Sequence, residues 1–197
     1  GHLVLCGRSI PDLALARLRA SGSVLTLGQD DLQLRPEEMA ELALRHGASV
    51  DALDDLAPWP ALVRLALAAG AGAPLDYLRE EVLARLDPDV RRALAAAVLA
   101  PGADDAVLDA AATGITPAEL SMAVPLVDLR PDGSVVAHAL WAEVLDQVVD
   151  VATQRALVDE IANAHSRAGR HDDAVQLAAS HAAWELVARV VLRSIGT

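Results

Sequence analysis

The chain contains no lysine and no phenylalanine, a single cysteine (Cys6), and aromatic residues at only 2%. Each absence excludes something. Without lysine there can be no GxxxxGK[ST] phosphate-binding loop, because that loop needs its lysine to reach the β- and γ-phosphates. A lone cysteine rules out a disulfide framework and any cysteine-rich metal site. With so few rings, a core must be built from aliphatic side chains and alanine, a composition that suits closely approaching helices. No stretch reaches 18 uncharged apolar residues; the longest candidate, WPALVRLALAAGAGAPL, is broken by Arg64, prolines and glycines. No basic segment of the signal-peptide kind opens the sequence, so a soluble, cytoplasmic protein is the expectation.

What is present is helical rhythm and negative charge. The 197 residues are 53% hydrophobic, with 16 basic residues, all arginine, against 28 acidic ones and a net charge of −12. That balance argues against a grip on a phosphate backbone. HLVLCGRS (2–9) reads as a buried strand ending at Arg8, and SVLTL (23–27) as a second strand. Between and after them run helices with clear punctuation: SIPDLALARLRASG, RPEEMAELALRHG, SVDALDDLA and PWPALVRLALAAG, with prolines in first turns and glycines at the ends. After a Gly/Ala/Pro-rich break come APLDYLREEVLARL (73–86) and PDVRRALAAAVLA, with Asp87 as its expected cap. GADDAVLDAAATG and TPAELSMAV follow, the latter with Thr116 and Glu119 spaced as a capping box. VPLVDL and SVVAH flank RPDG, a turn in which proline presets φ and glycine supplies positive φ. Several short helices followed by a hairpin is the plan of a winged helix-turn-helix. From Ala139 onward the pattern is helical again, in paired lengths that suggest TPR-like hairpins.

Few constellations carry chemistry. His165, His171 and His181 are spaced six and ten apart, which places no two on one helical face, so surface and turn positions are expected rather than zinc. The acid pairs Glu80/Glu81, Asp104/Asp105 and Asp172/Asp173 sit in or near first turns, where they offset the macrodipole. TPAELSMAV, at the recognition-helix position, has no side chain suited to reading base edges. His138, where a strand hands over to a helix, reads from its position alone as a cap for that helix.

The order of pieces resembles the STAND signal-transduction ATPases of the LuxR/MalT type. HLVLCGRSIPDLALARLRASGSVLTLGQDDLQLRPEEMAELA is similar to the end of their nucleotide-binding core. WPALVRLALAAG is similar to their lid helix, LDYLREEVLARLDPDVRRALAAAVL to the start of their winged helix, and VVAHALWAEVLDQ to its end. The segment departs from the family pattern at Ala57-Pro58 and at Ala139. The resemblance implies a mainly α fold: residues 1–52 as the C-terminal end of an α/β NTPase core, 53–74 as a lid helix, 75–150 as a winged helix domain, and 151–197 as the start of TPR-like repeats. It implies a regulatory segment of an ATP-dependent transcriptional regulator, not an enzyme by itself, with the alternative a nucleotide-independent helical scaffold. The cofactor-binding residues it implies are Arg8 (reading the γ-phosphate), Trp59 and Pro60 (against adenine) and His138 (on the β-phosphate of ADP). No catalytic residue, metal ligand, membrane contact or direct nucleic acid contact is expected. ADP or ATP with magnesium belongs to the parent protein, as do an upstream P-loop half and downstream sensor and output domains. Self-association is a further partner expectation.

Overall fold

In the computed structural model the described residues are 3–6, 15–53, 56, 58–70, 72–111 and 113–195. The protein is mainly helical, at 65% helix with one two-stranded antiparallel sheet. It divides into two compact units, Gly1–Pro74 and Leu75–Thr197.

The first unit holds α1 (Ala16–Ala20), α2 (Gln29–Leu32), α3 (Pro36–Arg45), a 3₁₀ turn at Val50–Leu53, and α4 (Pro60–Ala69). Helix α3 starts with Pro36 at its first position, and the Glu38 carboxylate accepts from the Arg35 N–H at 2.8 Å. Gly70, at φ 100°, ends α4 in a conformation closed to other residues. The start of α3 is tied to the start of α4 by the Leu34 N–H, which donates to the Pro58 carbonyl at 2.7 Å. Ala43, Leu53, Val63 and Ala66 form the core of this unit, with Leu34, Met39, Leu42, Leu56 and Leu67 packed around them.

Neither expected strand forms among the described residues: 3–6 and 23–28 carry no regular secondary structure, with Leu3 at 83% and Leu25 at 83% exposure, and residues 2 and 7–9 of the first lie outside the described residues. A strand is a property of a pair, and no described segment of this unit supplies the second ladder. SVDALDDLA yields only the 3₁₀ turn at Val50–Leu53 among its described residues.

The second unit opens with α5 (Ala73–Tyr77), which crosses the boundary between the units and continues as a π turn (Leu78–Val82) and a 3₁₀ turn (Leu83–Arg85). A single regular helix was expected over 73–86. Leu78 and Leu83 are both buried, at 0% and 6%, and lie five residues apart. In an α-helix that spacing turns them well away from one another; the wider i→i+5 winding brings them toward the same side.

Helix α6 (Pro88–Leu99) is central: Ala93, Leu94, Ala95, Ala96, Ala97 and Leu99 are all buried. Around it pack α7 (Asp105–Ala110), α8 (Pro117–Ala123), the strand β2 (Val135–Ala137), α9 (Ala139–Ala142), α10 (Leu145–Val148) and α11 (Val151–Arg167), while the strand β1 (Val127–Leu129) lies against β2 and α8. Pro88 occupies the first position of α6, but the Asp87 side chain makes no capping bond, contrary to expectation. The capping box of α8 does form, with the Glu119 N–H donating to Thr116 Oγ1 at 3.2 Å and the Thr116 N–H to Glu119 Oε2 at 2.9 Å. The hairpin pairs Val127 with Ala137, Asp128 with Val136 and Leu129 with Val135. Its RPDG turn closes with Gly133 at φ 86° and with Asp132 Oδ1 accepting from the Ser134 N–H and hydroxyl at 2.9 and 2.7 Å. Helices α11, α12 (His171–Ser180) and α13 (Trp184–Ile195) pack as successive hairpins, and α11 also packs on α6 and α7.

Among the described residues no single helix is long and apolar enough to cross a membrane.

Candidate functional site

His138 sits at the single residue between β2 and α9. Its backbone N–H donates to the Leu126 carbonyl at 2.9 Å, which extends the hairpin pairing by one step. Leu126 holds φ 59°, a left-handed value that costs a leucine about 1–2 kcal/mol. The turn entering β1 is thus strained, and its carbonyl is pinned from the far end of the hairpin. His138 itself is extended, at φ −66° and ψ 151°, and its Nδ1 accepts from the Leu140 N–H at 3.2 Å. The imidazole therefore caps α9, a role usually taken by Ser, Thr, Asn or Asp. One turn on, the buried Trp141 donates its indole N–H to the Pro125 carbonyl at 2.9 Å, locking α9 onto the entry to the hairpin.

The cap fixes the protonation state of the ring. An Nδ1 that accepts a hydrogen bond carries no proton, so the neutral ring bears its proton on Nε2 and can donate there. Half-burial of the imidazole depresses its pKa below the ordinary 6.5, outweighing the Asp128 and Glu143 carboxylates that pull it upward. Near pH 7 the residue is a neutral donor at Nε2.

Of the other expected site residues, Trp59 and Pro60 belong to the first unit, as the cap position and first residue of α4, and both are half-buried. His138 belongs to the second unit. Arg8 lies outside the described residues.

Three polar features of the second unit escaped the sequence reading. Arg92 of α6 reaches two elements at once: Nε donates to the Ala111 carbonyl at 2.6 Å and Nη2 to Glu160 of α11 at 2.6 Å. Asp104 caps α7 by accepting from the Val107 N–H at 3.0 Å and also accepts from Arg170 Nη1 at 2.8 Å. Burial raises the Asp104 pKa, but the bonds from Arg170 and Val107 outweigh it and hold the carboxyl below 3.8. His165, expected at the surface, is buried at 8% exposure, and its Nδ1 has no hydrogen-bond partner. Burial, assisted by the Arg170 charge, lowers its pKa below 6.5 against the pull of Asp173 and Asp104. These contacts span 66 and 68 residues of sequence, and no local signal announces them. The capping position of Asp104, just before a helical run, was the one available hint.

Beside this seam lies an open cleft of about 350 Å³ lined by Ala110, Glu160, Asn163, Arg167 and Arg193. Asn163 is fixed from both ends: its Nδ2 donates to the Asp159 carbonyl at 2.7 Å, and its Oδ1 accepts from Arg193 at 3.2 Å. Among the described residues no group of three or more His, Cys, Asp or Glu side chains is placed to hold a metal ion.

Comparison with family models, with curated proteins and with solved structures finds no match to this chain.

Proposed function

We propose that this chain is a regulatory segment of an ATP-dependent STAND-type transcriptional regulator, transmitting nucleotide state between a nucleotide-binding core and helical sensor repeats. In this reading α6, α7 and α8 with the β1–β2 hairpin are a winged helix, and α11 to α13 begin a TPR-like array. The observation that carries the proposal is His138, held at the joint of hairpin and helix with Nδ1 engaged and Nε2 left as the donor. That is the protonation state a neutral histidine needs to donate to a phosphate oxygen, so capping α9 and holding a nucleotide are compatible duties. The exposed, unpaired apolar segments at 3–6 and 23–28 suit the end of an α/β core whose sheet is completed by other strands. Helix α8 offers Glu119, Ser121 and Met122 but no Arg, Lys, Asn or Gln, which favours an internal signalling role over reading DNA. In the parent protein, Arg8, Trp59 and Pro60 would join His138 around ADP or ATP with magnesium.

A second reading, a nucleotide-independent scaffold for protein partners, draws on the same residue, since the Leu140 cap alone gives His138 a structural purpose. One experiment separates the two. The parent protein is purified and denatured, and released ADP and ATP are quantified for wild type, His138→Ala and His138→Asn. Stoichiometric ADP that falls in both variants supports the switch, because asparagine restores only the cap. Absence of nucleotide in all three supports the scaffold.

A further inference from the structure

Buried polar atoms without a hydrogen-bond partner gather at one place among the described residues. Arg79 Nε is apart, but His165 Nδ1, Ser166 Oγ and His171 Nδ1 all lie where α11 ends and α12 begins. Native interiors leave few such atoms, because each forfeits its hydration without a return. A joint that collects them is held by less than its burial suggests.

What does hold it is Arg170. Its backbone N–H donates to the His165 carbonyl at 2.8 Å, and its Nη1 donates to Asp104, the cap of α7, at 2.8 Å. Helix α12 packs on α11 and α13, so the Arg170–Asp104 pair is what ties its start to α7. At its other end His181 Nε2 lies 3.4 Å from the carbonyl of Leu99, the last residue of α6. The charges acting on the His165 ring are Asp104 at the entry to α7, with Arg170 and Asp173 at the start of α12. From the other elements packed on α11, Arg92 of α6 and Arg193 of α13 engage Glu160 and Asn163 instead.

Burial and the Arg170 charge keep the imidazole neutral near pH 7. A proton on the ring would set a second positive charge beside Arg170. It would also turn Nδ1 into a buried donor with no acceptor. Opening the joint to water relieves both.

We propose that the α11–α12 joint is an acid-sensitive latch, in which a proton taken up by His165 releases Arg170 from Asp104 and frees the start of α12 from α7. The opened joint returns the histidine to its ordinary affinity for protons, so it binds them first as pH falls. The latch is therefore shut above about pH 6.5 and loosens below it. His181 gives no such response, because an imidazolium still donates at Nε2. The latch needs no nucleotide.

Hydrogen exchange of the full chain, read by mass spectrometry at pH 7.5 and 5.5, tests this. Protection factors remove the intrinsic pH dependence of exchange and leave the opening equilibrium of each helix. Amides of α12 exchange through an opening more frequent than the one that exposes α6. That opening becomes about three- to tenfold more populated at pH 5.5, as one histidine moving toward its ordinary pKa requires. His165→Gln removes the response, His138→Asn leaves it, and Arg170→Gln opens α12 already at pH 7.5. Nuclear magnetic resonance titration of the wild-type ring needs no variant, and places the His165 midpoint below 6.5. The latch is overturned by α12 and α6 sharing a single opening, or by a wild-type change under about twofold. A response that survives His165→Gln, an Arg170→Gln variant as closed as wild type, or a His165 midpoint at or above 6.5 overturns it equally.

Discussion

Replacing Arg92 by alanine withdraws two hydrogen bonds that join different elements. The guanidinium joins the end of α7, through the Ala111 carbonyl, to Glu160 of α11, both at 2.6 Å. Its side chain is 28% exposed and that of Glu160 is 42% exposed, so water screens the ion pair and its Coulomb share is small. The larger loss lies at Ala111, a fully buried residue whose carbonyl forfeits a charged donor. A hydrogen bond to a charged group contributes about 1.5–3 kcal/mol, and the partly exposed ion pair adds up to about 1. Arg92→Ala should therefore cost about 2–4 kcal/mol, which lowers the melting temperature by roughly 4–16 °C. Glu160→Gln keeps an acceptor within reach of Arg92 and should cost no more than about 1 kcal/mol. Urea titrations followed by circular dichroism, for both single variants and the double variant, measure each cost and their coupling. If Arg92→Ala stays within about 0.5 kcal/mol of wild type, the seam is solvated in solution and does not bind α6, α7 and α11 together.

Other perturbations have equally definite outcomes. His138→Ala should cost about 1 kcal/mol through loss of the α9 cap, and His138→Asn much less, as urea midpoints will show. His165 and His138 both have pKa values below 6.5 in the folded protein. The unfolded chain therefore takes up protons first as pH falls through about 6.5, and stability decreases from pH 7.5 toward pH 5.5. Unfolding titrations at the two pH values check this, and a His165→Gln variant should show a shallower slope. Ala182, exposed in the α12–α13 turn, holds φ 53°. Ala182→Gly should raise stability by roughly 0.5–1 kcal/mol, read as a higher melting temperature, because only glycine adopts that backbone without strain.

How much could be read in advance depended on the range of each interaction. The capping box at Thr116 and Glu119, the prolines opening α3, α4, α6 and α8, and the RPDG turn are settled within four or five residues, and all formed. Apart from the Asp87 cap, a local expectation that does not form, the failures lie where a distant partner decides. HLVLC and SVLTL have strand composition, but composition supplies no ladder. The Leu78–Val82 turn widened because two leucines five apart were both drawn into the interior. His165 resembled a surface histidine by spacing, and only the packing of α11 on α7 and α12 buried it. At the candidate site, His138 stood out because it interrupts an apolar run at a change of periodicity. The cap it forms was one of its two expected roles, and the tautomer that follows from the cap could not be read before Nδ1 was seen to accept.

The alanines of α6 carry a mechanical consequence. Ala93, Ala95, Ala96 and Ala97 are at most 1% exposed and lie against neighbouring elements on several sides of the helix. A methyl group has no rotamers, so at these four positions the helix cannot absorb a displacement by repacking side chains; among its buried residues only Leu94 and Leu99 can. Where a neighbour rests on the methyls, a push on it is met by movement of a whole helix or of the hairpin. Enlarging any of these methyls would force the packed elements apart.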